Sequence, residues 1–140
     1  MSNFSVFMAG NAVENETVKY VASKRFAVKG KPVEWEIKAI DSDLDEAIRK
    51  ECTKRVSTGK RGQYNQETDT DKYIGKICVA CTVYPNLNDA ELQDSYGVKD
   101  GVALLKKMLL PGEYTEYKAK VMEINGYDMS MEELVDEAKN

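Results

Sequence analysis

The 140-residue chain has the length of one domain and can bury roughly two thirds of its unfolded surface. Its 42% hydrophobic and 31% charged residues are ordinary for a globular protein, and a net charge of −4 argues against nucleic acid as the main partner. No apolar run approaches the ~20 residues of a membrane span, and residues 1–13 lack the basic start and long apolar stretch of a secretory signal.

In chain order, residues 1–13 (MSNFSVFMAGNAV) read as an apolar arm, with Phe4, Val6 and Met8 on one side if extended. Gly10 and Asn11 interrupt it. Such an arm either folds back on its own core or docks on a neighbour, and Phe4, Val6, Phe7 and Met8 are the candidate partner contacts. Across residues 17–40, Val18, Tyr20 and Ala22 alternate with Lys19, Val21 and Ser23. After a turn with Gly30 and Pro32, Val33, Trp35 and Ile37 alternate with Glu34, Glu36 and Lys38. Period-two patterning of this kind predicts an antiparallel hairpin whose Trp35 face packs on helices.

From residue 42 onward the periodicity is helical. Ser42 is expected to cap a helix over 43–56, with Asp43 and Asp45 in its first turn, Lys54 and Arg55 in its last, and a buried stripe of Leu44, Ile48 and Cys52. Residues 57–68 (STGKRGQYNQET) have two glycines and no apolar period, which predicts a mobile loop. Thr68 or Asp69 starts a helix to Tyr84, ended by Pro85, with Tyr73, Ile77, Cys81 and Tyr84 beside Ile74 and Cys78. Apolar around much of its circumference, that helix belongs at the centre of the fold.

Short helices follow. Asn88 and Glu91 form a capping box for a helix over 87–96, closed by Gly97. The next covers 100–109, with Val102, Leu105 and Leu109 inward. Pro111 opens a helix to Ile124, with Tyr114, Tyr117, Val121 and Ile124 inward and Asn125–Gly126 at its end. Ser130 and Glu133 would begin a last amphipathic helix through Leu134 and Val135. The fold class is therefore α+β: a single domain with a mainly helical body of five or six helices and one small antiparallel β-hairpin near the N-terminus.

Few residues invite chemistry. The chain has no histidine, which removes the commonest general base and the commonest zinc ligand. Cys78 and Cys81 form a C-x-x-C pair, but no second pair exists to complete a zinc site. A redox pair would sit at a helix start, whereas ICVACTVY is helix interior, so small buried hydrophobes fit better. The acids Asp41, Asp43, Asp45 and Glu46 lack calcium-loop spacing and read as helix-start charge. Lys54, Arg55, Lys60 and Arg61 with Tyr64 read as a solvated loop or a phosphate contact, the latter opposed by Glu67, Asp69 and Asp71. No catalytic residue, metal or cofactor is expected.

Several ordered motifs carry a resemblance. The series GNAVENETVKYVASKRF, PVEWEIKAI, DEAIRKECTKRV, GKRGQY, YPNLNDAELQDSYGV, ALLKKMLLPGEY and VMEINGYD, from Ala9 to Asp128, resembles the XkdN-like tail assembly chaperones of contractile-tailed phages and prophages. That resemblance implies a non-enzymatic protein of the host bacterial cytoplasm, absent from the mature virion, which binds the tape measure protein and keeps it soluble for tail tube assembly. Covering an extended client takes many copies, so self-association is implied, and the basic 54–61 segment gains a third reading as a contact for an acidic patch on a partner subunit. The alternative is a structural tail protein retained in the virion, which a single hairpin does not favour. A small enzyme would need a deep polar pocket holding a perturbed carboxylate.

Overall fold

The computed structural model describes residues 4–127. A 3-10 turn at Ser5–Phe7 precedes strand β1 (Val18–Tyr20), the two short strands β2 (Ala27–Val28) and β3 (Lys31–Pro32), and β4 (Trp35–Ile37). Helix α1 (Ser42–Glu51) leads into β5 (Thr53–Ser57) and β6 (Tyr64–Thr68), then α2 (Thr70–Cys81) and β7 (Thr82–Tyr84). Three helices follow: α3 (Ala90–Ser95), α4 (Gly101–Met108) and α5 (Pro111–Ile124).

The predicted pairing of the two alternating segments holds, with Val18 opposite Ile37 and Tyr20 opposite Trp35. What differs is the number of sheets. Strand β7 pairs antiparallel with β4 on its other side, making a three-stranded sheet in the order β1-β4-β7. β2 and β3 form a small hairpin within the connection, and β5 with β6 forms another. The single hairpin near the N-terminus is thus corrected to three small sheets distributed along the chain.

The core explains the centre of this arrangement. Trp35 and Ile37 of β4 are 1% and 0% exposed, facing Tyr117 of α5, whose ring meets Trp35 edge-on at 5.3 Å. Tyr20 and Phe26 complete the aromatic cluster at 6.0 Å from Tyr117 and 6.3 Å from Trp35. Helix α2 is central, as its apolar circumference predicts, packing on α1, α4 and α5. Two glycines set its distance from α4. A Cβ on Gly75 would lie 2.8 Å from Val102 Cγ1, and one on Gly101 would lie 2.8 Å from Val79 Cγ1, so each helix seats a valine of the other on a glycine. Arg25 ties the segment after β1 to this layer by donating to the Met108 carbonyl at the end of α4, where a cation also complements the helix dipole.

Several boundaries move for local reasons. The cap of α1 is Asp41, not Ser42; its Oδ1 accepts from Leu44 N at 2.8 Å. α1 also stops at Glu51, not at residue 56. The Thr53 hydroxyl bonds the Arg49 carbonyl at 2.8 Å, and the β-branched Thr53 and Val56 continue as strand. Lys54 and Arg55 are therefore strand residues, and the last-turn cations are Arg49 and Lys50. Leu44 leaves the stripe, being 43% exposed, while Ile48 and Cys52 are buried.

The predicted loop at 57–68 narrows to a connection over 58–63, because β5 and β6 pair from Thr53–Thr68 to Ser57–Tyr64. α2 ends at Cys81 rather than Tyr84, because the Thr82 hydroxyl turns back to the Cys78 carbonyl at 2.7 Å and meets the Tyr117 hydroxyl at 2.6 Å. Asp89, not Asn88, caps α3, accepting from Leu92 N at 2.8 Å. Gly97 and Gly126 close α3 and α5 at φ 70° and 92°, and Pro111 takes the first position of α5, as expected. The helix expected at Ser130 lies outside the described residues.

Candidate partner-binding surfaces

The cysteine pair and the acids at the start of α1 take structure-bearing roles. Cys78 and Cys81 are each fully buried on α2, and burial raises both thiols above the usual range. Asn125 donates to Cys81 Sγ at 3.3 Å, tying the end of α5 to α2. A thiol held protonated in apolar surroundings is a poor nucleophile, so the pair acts as packing.

Between α1 and α2, the Tyr73 hydroxyl donates to Asp45 Oδ1 and accepts from Arg49 Nη2 at 3.0 Å. The Arg49 guanidinium stands 4.3 Å from the Tyr73 ring centre. Burial, then the Asp45 bond, pushes the phenol upward. This is a clasp joining two helices, and it occupies one of the four acids at the start of α1. The cavities beside it hold about 80 and 110 Å³, below the ~300–1,000 Å³ typical of small-molecule sites. Among the described residues no group of three or more His, Cys, Asp or Glu converges as a metal site.

The larger concavity is an open groove of about 690 Å³ between α1, α2 and the start of α4. Ile48, Val79, Ala80 and Val102 give it an apolar floor, and Glu51, Lys72, Lys76 and Asp100 line it with charge of both signs. Lys76 Nζ and Glu51 Oε2 bridge α1 to α2 at 2.8 Å, and that ammonium holds the Glu51 carboxyl below its usual range. Both groups are solvent-facing, so the pair is weak and free to exchange partners. Sequence reading missed this groove because its floor comes from three separated elements; only the Lys72/Lys76 spacing along one helix face hints at it.

The N-terminal candidates are placed at the surface. Phe7 N donates to Phe4 O at 2.9 Å and Asn11 Nδ2 to Ser5 O at 2.7 Å, making a local turn rather than an extended arm. Phe4, Val6, Phe7 and Met8 are 60–78% exposed and none belongs to the core cluster. Val83 and Tyr84 on β7 are also about half exposed, on an edge strand paired only to β4 among the described residues.

The surface thus presents an apolar-floored groove, an exposed apolar arm and a half-exposed edge strand. The phage XkdN-like tail assembly chaperone family (TAC) matches residues 4–139. The chain belongs to that family. It is 37% identical over 140 residues to YqbN of Bacillus subtilis strain 168, covering 99% of this chain and 93% of that protein. It is 32% identical to the phage-like element PBSX protein XkdN of the same strain, covering 99% and 94%. The crystal structure of YqbN superimposes with a TM-score of 0.78 at 34% identity, over 91% of this chain and 99% of that one. Family membership thus extends through the arm, the groove elements and the β5–β6 hairpin.

Proposed function

We propose that this chain binds the tape measure protein of its phage, keeps it soluble in the host bacterial cytoplasm during tail tube assembly, and is released before the virion is complete. Membership of a tail assembly chaperone family supports the role; the groove floored by Ile48, Val79, Ala80 and Val102 supports the mode. A long helical client presents apolar stripes at helical spacing, and an amphipathic helix laid in an apolar groove is the matching recognition mode. The mixed charges of Glu51, Lys72, Lys76 and Asp100 at the groove would accept a client helix whose flanks carry both signs. Binding is stoichiometric and involves no turnover.

Phe4, Val6, Phe7 and Met8 are the second contact in this reading, since apolar side chains 60–78% exposed have surface to bury on a client or a neighbour. Deleting residues 1–12 is expected to lower the mass of the client complex in light scattering while shifting the thermal midpoint by only a degree or two. A stability loss of about 2 kcal/mol or more would instead assign the arm to the core.

A tail component retained in the virion is the second reading. One observation favours it: the described residues hold seven strands in three sheets, more strand than one hairpin provides. Mass spectrometry of purified particles separates the two. A chaperone is missing from them, and a retained component is present at a fixed ratio to tube subunits.

A further inference from the structure

The β5–β6 hairpin is paired only within itself among the described residues, and β6 is exposed along its whole length. Two-stranded hairpins are marginal in water unless something packs on them, so a hairpin with one strand wholly exposed and only Thr53 and Val56 half-buried on the other calls for a partner. Its charge says which kind. Residues 53–68 carry Lys54, Arg55, Lys60 and Arg61 against Glu67, a net of +3, so in a chain of net −4 the remaining residues sum to −7. Arg55 lies 4.5 Å over the Tyr64 ring, which presents a guanidinium on an exposed aromatic platform.

The opposite end of the same unit carries the opposite sign. α1 begins with Asp41, Asp43, Asp45 and Glu46 and runs directly into the hairpin. Asp41 is spent as the cap and Asp45 in the Tyr73 clasp, which leaves the exposed Asp43 and Glu46 beside Leu44, itself 43% exposed. Among the described residues Glu46 pairs with a solvent-exposed Lys50 at 3.6 Å. Asp69 N donates to Cys52 O at 2.8 Å and the Thr53 hydroxyl to Arg49 O at 2.8 Å, so helix and hairpin are fastened at their junction. Ten helical residues span about 15 Å, and screening at physiological salt acts within ~8 Å. The two ends therefore cannot neutralise each other within one copy.

We propose that the β5–β6 hairpin docks on the acidic start of α1 of a second copy, so that copies associate head to tail. Such a contact uses two different patches and repeats, producing a ring or an open array rather than a closed pair. An array is what coating an extended client requires, and the proposal borrows from the proposed function only that many copies act together.

Light scattering and sedimentation of the full chain test it, with K60E/R61E reversing the hairpin tip and D43K/E46K reversing the helix start. Circular dichroism and thermal melts confirm that each variant folds; the hairpin-tip pair sits in an exposed connection and gives the safer reading. The wild type should self-associate with a constant that falls about tenfold or more between roughly 0.05 and 0.5 M salt, as the screening length shrinks. Each variant alone should stay monomeric. Mixing the two should restore assembly, because a reversed hairpin then meets a reversed helix start.

Unchanged association in K60E/R61E, or a wild type that stays monomeric both alone and on its client, overturns the proposal. So does binding of a single-stranded oligonucleotide by the wild type that K60E/R61E abolishes without changing its self-association, a result that assigns the hairpin to nucleic acid. If K60E/R61E binds the client with fewer copies per chain, both readings hold. Salt-dependent association without client binding sinks only the chaperone reading.

Discussion

Replacing Trp35 by Ala is expected to remove about 3–5 kcal/mol of folding stability, the range for deleting a large aromatic side chain from a packed core. The indole is 1% exposed on the central strand β4 and touches both Tyr117 and Phe26. Against a total of roughly 5–15 kcal/mol for a domain, that is about a fifth of the margin or more. The thermal midpoint should fall by on the order of 10 °C or more. Trp35→Phe keeps most of the ring volume and should cost less. Denaturant unfolding followed by circular dichroism measures both, and a loss under about 1 kcal/mol for Trp35→Ala would place the indole outside the core.

The second large effect is expected at Gly75. Alanine there trades a helix-propensity gain of about 1 kcal/mol against pressure on Val102, so the net change should be small. Valine has no such balance. Its branched Cβ would press into Val102 Cγ1, 2.8 Å away, and the Tyr114 hydroxyl, 3.2 Å away. A loss of about 1–3 kcal/mol is expected from overpacking. Because Val102 also lines the groove, displacing it should weaken client binding as well. Shrinking the opposing side chain offers the control: in Gly75→Val with Val102→Ala much of the lost stability should return. Near-zero coupling in that double-mutant cycle would contradict the contact.

The parts of the fold legible in the sequence are those in which one face of an element meets the core. β1 and β4 alternate because Trp35 and Ile37 point inward and Glu34 does not, and α2 is apolar widely because it is covered by three helices. The β5–β6 hairpin has no buried face to leave a period-two trace, and its Lys54 and Arg55 mimic a helix end. β7 was hidden by continuity, since Thr82, Val83 and Tyr84 extend the apolar pattern of α2 while Thr82 turns the backbone away. One-residue errors at the caps arise where adjacent side chains, Asp41 and Ser42 or Asn88 and Asp89, can all accept from a helix N-terminus, and only geometry chooses.

Of the candidate surfaces, the arm was legible as an apolar terminal segment, and the basic segment as a charge run. The groove was not, because Ile48, Val79 and Val102 are brought together only by the packing of α1, α2 and α4. The resemblance in motif order carried the family where no single site residue could.

Co-expression of this chain with the tape measure protein of the same phage, followed by the soluble fraction and a pull-down, tests the central claim most directly. The expected result is that tape measure protein, insoluble alone, becomes soluble and co-purifies with several copies of this chain per client. A client equally insoluble with and without this chain, or a soluble one that retains none of it, would contradict the account.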